Sequence, residues 1–184
     1  MSKKHFILYG FTALIALSVQ TFGQKLSLPF RDVGACPFEC CTYREWTANK
    51  PTVLLKNMSD NSPGVFKVKK GDRAQAVDGM VITTKAGIGR AMSDTNLEFV
   101  DWKKNTTRNV SIKKGERVLI LTPIGEGFYK VWYKGLILQA GMDNSQFKTL
   151  SEPKSVWWVK IKNRKGQVGW TKLTENFDDK DSCA

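Results

Sequence analysis

The chain has 184 residues, a formal charge of +12 from 29 Lys+Arg against 17 Asp+Glu, four cysteines and one histidine, His5. That length suits one ordinary domain or two very small ones. With its single histidine in a leader-like segment, the chain is excluded from Ser-His-Asp and Cys-His nucleophilic catalysis and from the common zinc hydrolase sites, which all need an imidazole.

Residues 1–23 begin with Lys3 and Lys4, continue through an apolar run at 6–19 and end in Thr21-Phe22-Gly23 before Gln24. The pattern is that of a secretory signal peptide with a small-residue cleavage site, and the run is short for a spanning helix. A secreted protein, periplasmic or extracellular, with no transmembrane segment in the mature chain is therefore expected; the alternative is a retained anchor. The surface stays strongly basic once Lys3 and Lys4 are removed. It attracts polyanions such as the phosphate-rich polymers of an envelope, or it serves only as a solvated face. Export makes nucleic acid the least natural partner.

Residues 24–50 form a Cys-rich N-terminal segment holding Cys36, Cys40 and Cys41, and Cys183 closes the tail at 178–184. In an oxidising compartment four cysteines suggest two disulfides. Adjacent Cys40 and Cys41 bridge only with strain, so one local bridge from Cys36 and one long bridge to Cys183 are expected, with the partner of each left open. The competing four-cysteine zinc site lacks a Cys-x-x-Cys pair, and no metal or other cofactor is expected.

Beyond this segment β-runs recur with turn signals between them: 53–56, 66–69, 73–77, 80–84, 97–102, 110–113, 117–122, 128–133, 136–139, 157–162 and 168–172. Asp78-Gly79, Lys134-Gly135 and the stretches 61–64, 123–127 and 163–166 supply the turns. Gly87-Ile88-Gly89 reads as a loop, and 140–153 as a long polar surface loop. One repeat is visible: "FKVKKGDRA" from Phe66 aligns with "VSIKKGERV" from Val110, each a β-run, a lysine-glycine turn and a second β-run. An all-β fold of small units follows.

These repeats, followed by "WWVKIKNRKGQVGWTK" from Trp157, resemble the bacterial SH3-like (SH3b) domain. Trp158, Lys160 and Ile161 fit that family's Trp-x-Lys-aliphatic strand, and Gly166 to Trp170 fit its Gly-x-x-Gly-Trp closure. The resemblance covers roughly 51–174. It implies two small antiparallel barrels in tandem, unit 1 at 51–107 and unit 2 at 108–177, with the N-terminal segment attached as a disulfide-held cap. Unit 1 lacks the closure after Val77 and is degenerate or shares strands with its neighbour. Unit 2 offers two candidates for the central strand, 128–133 and 157–162.

The resemblance further implies a non-catalytic binding module for cell-wall peptides or an envelope protein. Strand alternation puts Trp157, Val159 and Ile161 on a core face, and Trp158, Lys160 and Lys162 on the other. It likewise groups Phe128, Lys130 and Trp132. The candidate ligand-binding set is therefore Trp132 and Trp158 as exposed aromatics flanked by Lys130, Lys160 and Lys162, although lysine stems that merely cover the rings would leave the same pattern. Two other functions remain: a carboxylate-only glycosidase or wall lyase, drawing on Glu98, Asp101, Glu116 or Glu126, and a disulfide-stapled protein inhibitor.

Overall fold

In the computed structural model residues 25–101 and 104–183 are described, and the chain is all-β with almost no helix. The leader at 1–23 and Trp102, expected to end a β-run, lie outside the described residues. The first five strands are β1 (Phe30–Val33), β2 (Glu45–Ala48), β3 (Thr52–Leu55), β4 (Gly64–Val68) and β5 (Arg73–Lys85). Next come β6 (Gly87–Ala91), β7 (Thr95–Asp101), β8 (Thr106–Ile112), β9 (Arg117–Gly125), β10 (Phe128–Tyr133), β11 (Leu136–Gly141) and β12 (Phe147–Ser151). Then β13 (Lys154–Lys162), β14 (Val168–Thr171), a 3-10 turn at Thr174–Asn176 and β15 (Phe177–Asp178) complete the chain.

Pairing divides these strands into two curled bodies, one nested inside the other. The outer body has the order β15-β2-β5-β13-β14-β3-β4, with β1 added to β5. The inner body, β6 to β12, has the order β12-β6-β9-β10-β11, with the β7–β8 ribbon packed beside β11. Apart from β1 the two orders correspond, although the β7–β8 ribbon is a sheet of its own where β3–β4 is hydrogen-bonded to β14. The likeness extends to single hydrogen bonds: Gly71 N donates to Ala48 O at 2.7 Å, and Gly115 N donates to Ala91 O at 2.8 Å. Phe177 pairs with Ala48 and Phe147 with Ala91, and both rings are fully buried.

Each body wraps its own apolar core. Trp46, Ala48, Leu54, Val68, Ala74, Ala76, Val159, Ile161 and Phe177 fill the outer one. Ala91, Leu97, Ile112, Val118, Val131, Tyr133, Leu138, Ala140 and Phe147 fill the inner one. Every inner-body strand contributes at inward positions, as do β2, β3, β4, β5, β13 and β15 of the outer body, following the strand period of two.

This nesting corrects the tandem boundaries. A division at 107/108 falls inside β8, and the strand 157–162 completes the outer body by pairing with β5, from Lys154 opposite Lys85 to Lys162 opposite Gln75. The two candidates for the central strand fall in different bodies, β10 between β9 and β11 in the inner and β13 between β5 and β14 in the outer. The expected Asp78-Gly79 turn is also absent, because β5 runs straight through it. Lys160 opposes Asp78 while Ile161 opposes Ala76, so Val77 bulges out of the ladder and the strand continues. Gly79 is needed for packing: a Cβ there would collide with the Tyr43 hydroxyl and stand 2.8 Å from Trp157 Nε1.

Two expected loops are strands. Gly87–Ala91 pairs with β9, and its inward residues Gly87, Gly89 and Ala91 are too small to signal a strand by hydrophobicity. Within 140–153, β12 is anchored by one large apolar side chain, Phe147, among exposed polar neighbours. Nor does the N-terminal segment lie outside the sheets, since β2 pairs with β5 and supplies Trp46 to the core.

The disulfides are Cys36–Cys41 and Cys40–Cys183, which settles the partners left open by the sequence. No free cysteine remains among the described residues, so no thiolate is available to a metal. The two bridges indicate folding in an oxidising compartment. No helix among the described residues is long and apolar enough to cross a membrane. The Cys40–Cys183 bridge closes a separation of 143 residues and thereby encircles both bodies. Replacing both of its cysteines by serine is expected to cost about 2–5 kcal/mol and to lower the melting temperature by roughly 5–15 °C in a thermal scan.

Candidate functional site

The tryptophans divide differently from the expectation. Trp158 is only 5% exposed, so it is no open platform. The Lys172 ammonium lies 6.0 Å from its ring centroid and is held by Asp60 at 2.6 Å. Lys160 sits 5.4 Å over the Trp170 ring, its cross-strand partner. The lysine stems thus cover indoles rather than frame a ligand. Trp157 packs against the outer core, as alternation implies, within an aromatic cluster of Phe38, Tyr43 and Trp46. Its Nε1 donates to the Tyr43 hydroxyl at 3.3 Å, and that hydroxyl donates to the Ala35 carbonyl. Burial pushes the Tyr43 phenol up to about 12, so it stays protonated as a structural donor.

Lys130 and Trp132 keep their predicted common face on β10, with Gln139 and Ile137 opposite them on β11. There a groove of about 550 Å³ opens between the inner body and β1, lined by Phe30, Asp32, Phe99, Lys130, Ile137 and Gln139, with Glu98 and Val100 at β7. The Lys130 ammonium binds Asp32 Oδ1 at 2.8 Å. The Asp32 side chain is 9% exposed, and its second oxygen, Oδ2, has no hydrogen-bond partner. The groove therefore combines apolar walls (Phe30, Phe99, Ile137) with an oriented ion pair and an amide, the mixture that binds an extended ligand and fixes its orientation. Of the predicted set, the structure brings Lys130 to this groove; Lys160 and Lys162 lie on the outer body.

Sequence reasoning missed Phe30, Asp32, Phe99 and Ile137. Residues 30–33 carry a weak alternating signal inside a segment dominated by cysteines, and nothing local marks Asp32 as the partner of a lysine 98 residues away.

The repeated lysine-glycine turn differs in charge between the two bodies. In the inner body Asp94 pairs with Lys113 at 2.9 Å and accepts the Lys114 amide. Glu116 accepts the Lys113 amide, the Tyr133 hydroxyl and the Lys134 ammonium. These hydrogen bonds, led by the Lys113 amide, hold the Glu116 carboxyl down to about 2. In the outer body Asp72 accepts the Lys69 amide at 2.7 Å, but Lys67, Lys69 and Lys70 have no carboxylate partner among the described residues.

The chain matches no protein-family model, no curated protein and no solved structure.

Two predictions follow from these pairs. Lys130→Met leaves the enclosed Asp32 carboxylate without its cation and is expected to lower stability by about 1–3 kcal/mol in urea denaturation. The D32N/K130M double variant should lose less than the two single losses added together, because each single change strands the other group. Glu116 has a depressed folded pKa, so its contribution is fully present above the ordinary carboxyl value of 4.5 and is lost as pH falls through about 2. The difference between wild-type and Glu116→Gln stability should accordingly shrink across that acid window in pH-dependent melting.

Proposed function

We propose that the chain is an exported, non-catalytic binding module built from two SH3-like barrels, one spliced into the other, whose target is a cell-wall peptide or an envelope protein. The observation that carries this reading is the groove between β1 and the inner body, where an ion pair and a glutamine amide face Phe30, Phe99 and Ile137. Aromatic and aliphatic walls supply contact area at small entropic cost, while the polar groups select orientation. The strand grammar and lysine-glycine turns that resemble SH3b domains support the same conclusion, as does disulfide closure suited to the envelope.

The carboxylate-enzyme reading has one observation in its favour, since Asp32 and Glu98 line the same groove. Against it, Asp32 is committed to Lys130, and Glu116 is held at about 2, opposite to the raised value a general acid needs.

Sedimentation of the mature protein with purified peptidoglycan tests both readings. Ile137 is 37% exposed and lines the groove outside the buried core, so its substitution is expected to spare the fold. Wild-type protein is expected in the pellet, Ile137→Glu in the supernatant, and no soluble wall fragments in either. Equal retention of the variant would remove the groove from the account, and release of fragments would replace binding by catalysis.

A further inference from the structure

The outer body carries a second groove, of about 460 Å³, between the β4–β5 turn and the β13–β14 turn. Lys67 and Arg73 line it from one side, and Arg164 and Lys165 from the other. Arg73 is paired with Glu45 at 3.1 Å, whereas Lys67, Arg164 and Lys165 have no carboxylate partner among the described residues. We propose that this groove is a binding site for a polymer carrying repeated phosphate groups and no bases. The site shares no lining residue with the peptide groove and is independent of that reading.

The first argument is the internal comparison. The same Lys-Lys-Gly-acid turn occurs twice, with Glu116 and Asp72 accepting equivalent lysine amides, but in the inner body a further carboxylate, Asp94, pairs with the Lys113 ammonium. In the outer body the connection between β2 and β3 has Asn49-Lys50-Pro51 where the inner body has Met92-Ser93-Asp94 between β6 and β7. Pro51 thus stands at the position of the neutralising acid Asp94, and Lys69 and Lys70, between the lining residues Val68 and Gly71, keep uncompensated charge. Concentrating like charge at one place on a fold destabilises it by self-repulsion unless a counter-anion occupies the site.

Preorganisation is the second argument. Asn163 Oδ1 accepts the amides of Lys165 and Gln167, each at 3.0 Å, and its Nδ2 donates to Gln167 Oε1 at 2.8 Å. The turn that presents Arg164 and Lys165 is therefore fixed by its own hydrogen bonds. The facing turn is fixed in the same way, by Asp72 on the Lys69 amide and by Gly71 N on Ala48 O. Two rigid basic turns across one open groove match a ligand with several anionic groups in series better than a single anion.

The chemistry of the walls selects among polyanions. Guanidinium and ammonium groups together suit phosphate oxygens. Phe66, the one aromatic residue lining the groove, packs against the outer core, so no free ring is offered for base stacking.

The test is a titration of the mature protein with inorganic polyphosphate at several salt concentrations, with orthophosphate and a single-stranded DNA of equal charge as parallel arms. Polyphosphate is expected to bind tightly at low salt, orthophosphate far more weakly, and DNA no better than polyphosphate. R164Q/K165Q, at two exposed positions, should weaken polyphosphate binding about tenfold and reduce the log–log salt slope by roughly 1–2. K113Q/K114Q removes the same net charge from the compensated turn and should change affinity less than about twofold. Equal losses in the two variants would mean diffuse attraction to a basic surface and would overturn the site. Tighter binding of DNA than of polyphosphate would overturn the ligand class.

Discussion

The ladder between β5 and β13 is the constraint on which the rest of the molecule depends. It is the central hairpin of the outer body, yet the connection closing it is an entire second body, residues 87–151. Lys85 and Lys154 are paired at the end of this ladder, so the inner body leaves and returns through one narrow neck. Gly87 marks it: a Cβ there would stand 2.5 Å from Ser151 O and 2.7 Å from Pro153 N. Because both strands are also core strands of the outer body, neither body is independent of the ladder. Thr83 in β5 donates to the Leu121 carbonyl of β9 at 3.1 Å, which ties the inner body to the ladder directly.

The indoles serve this architecture. Trp46, Trp157 and Phe177 form edge-to-face and tilted contacts near 6.0 Å, where β2, β13 and β15 converge. Tyr43 joins them through Trp157 and ends on the Ala35 carbonyl of the cystine-rich segment. The disulfides then fix that segment to the chain terminus, and Arg44 adds donor bonds to the carbonyls of Asp179 and Asp181. Aromatic burial supplies the cohesion here, and the cross-link limits how far the unfolded chain opens. Trp158 and Trp170, on the opposite face, are shielded by Lys172 and Lys160.

The two bodies, alike in strand order, present separate surfaces. The inner one meets β1 along a groove of mixed polarity whose ion pair crosses between the bodies. The outer one keeps uncompensated cations around two fixed turns. The two bodies carry similar net charge for their lengths and differ in local pairing, Lys113 being bound by Asp94 while Lys69 and Lys70 have no carboxylate partner among the described residues.

The all-β class, most of the strands, the core role of Trp157, the common face of Lys130 and Trp132 and the pairing of Cys183 with the cysteine cluster were legible in the sequence, because each rests on local alternation, turn residues or cysteine chemistry. Tertiary structure alone decided which strand completes which body, since β5 and β13 are adjacent in space across some seventy intervening residues and no local pattern encodes that partnership. It also decided the fate of Trp158: alternation assigns a side chain to a face, but burial depends on what packs over that face, and this residue is 5% exposed, with the Lys172 ammonium 6.0 Å from its ring centroid. β6 and β12 escaped notice for the converse reason, being held by long-range ladders that ask little hydrophobicity of their own residues.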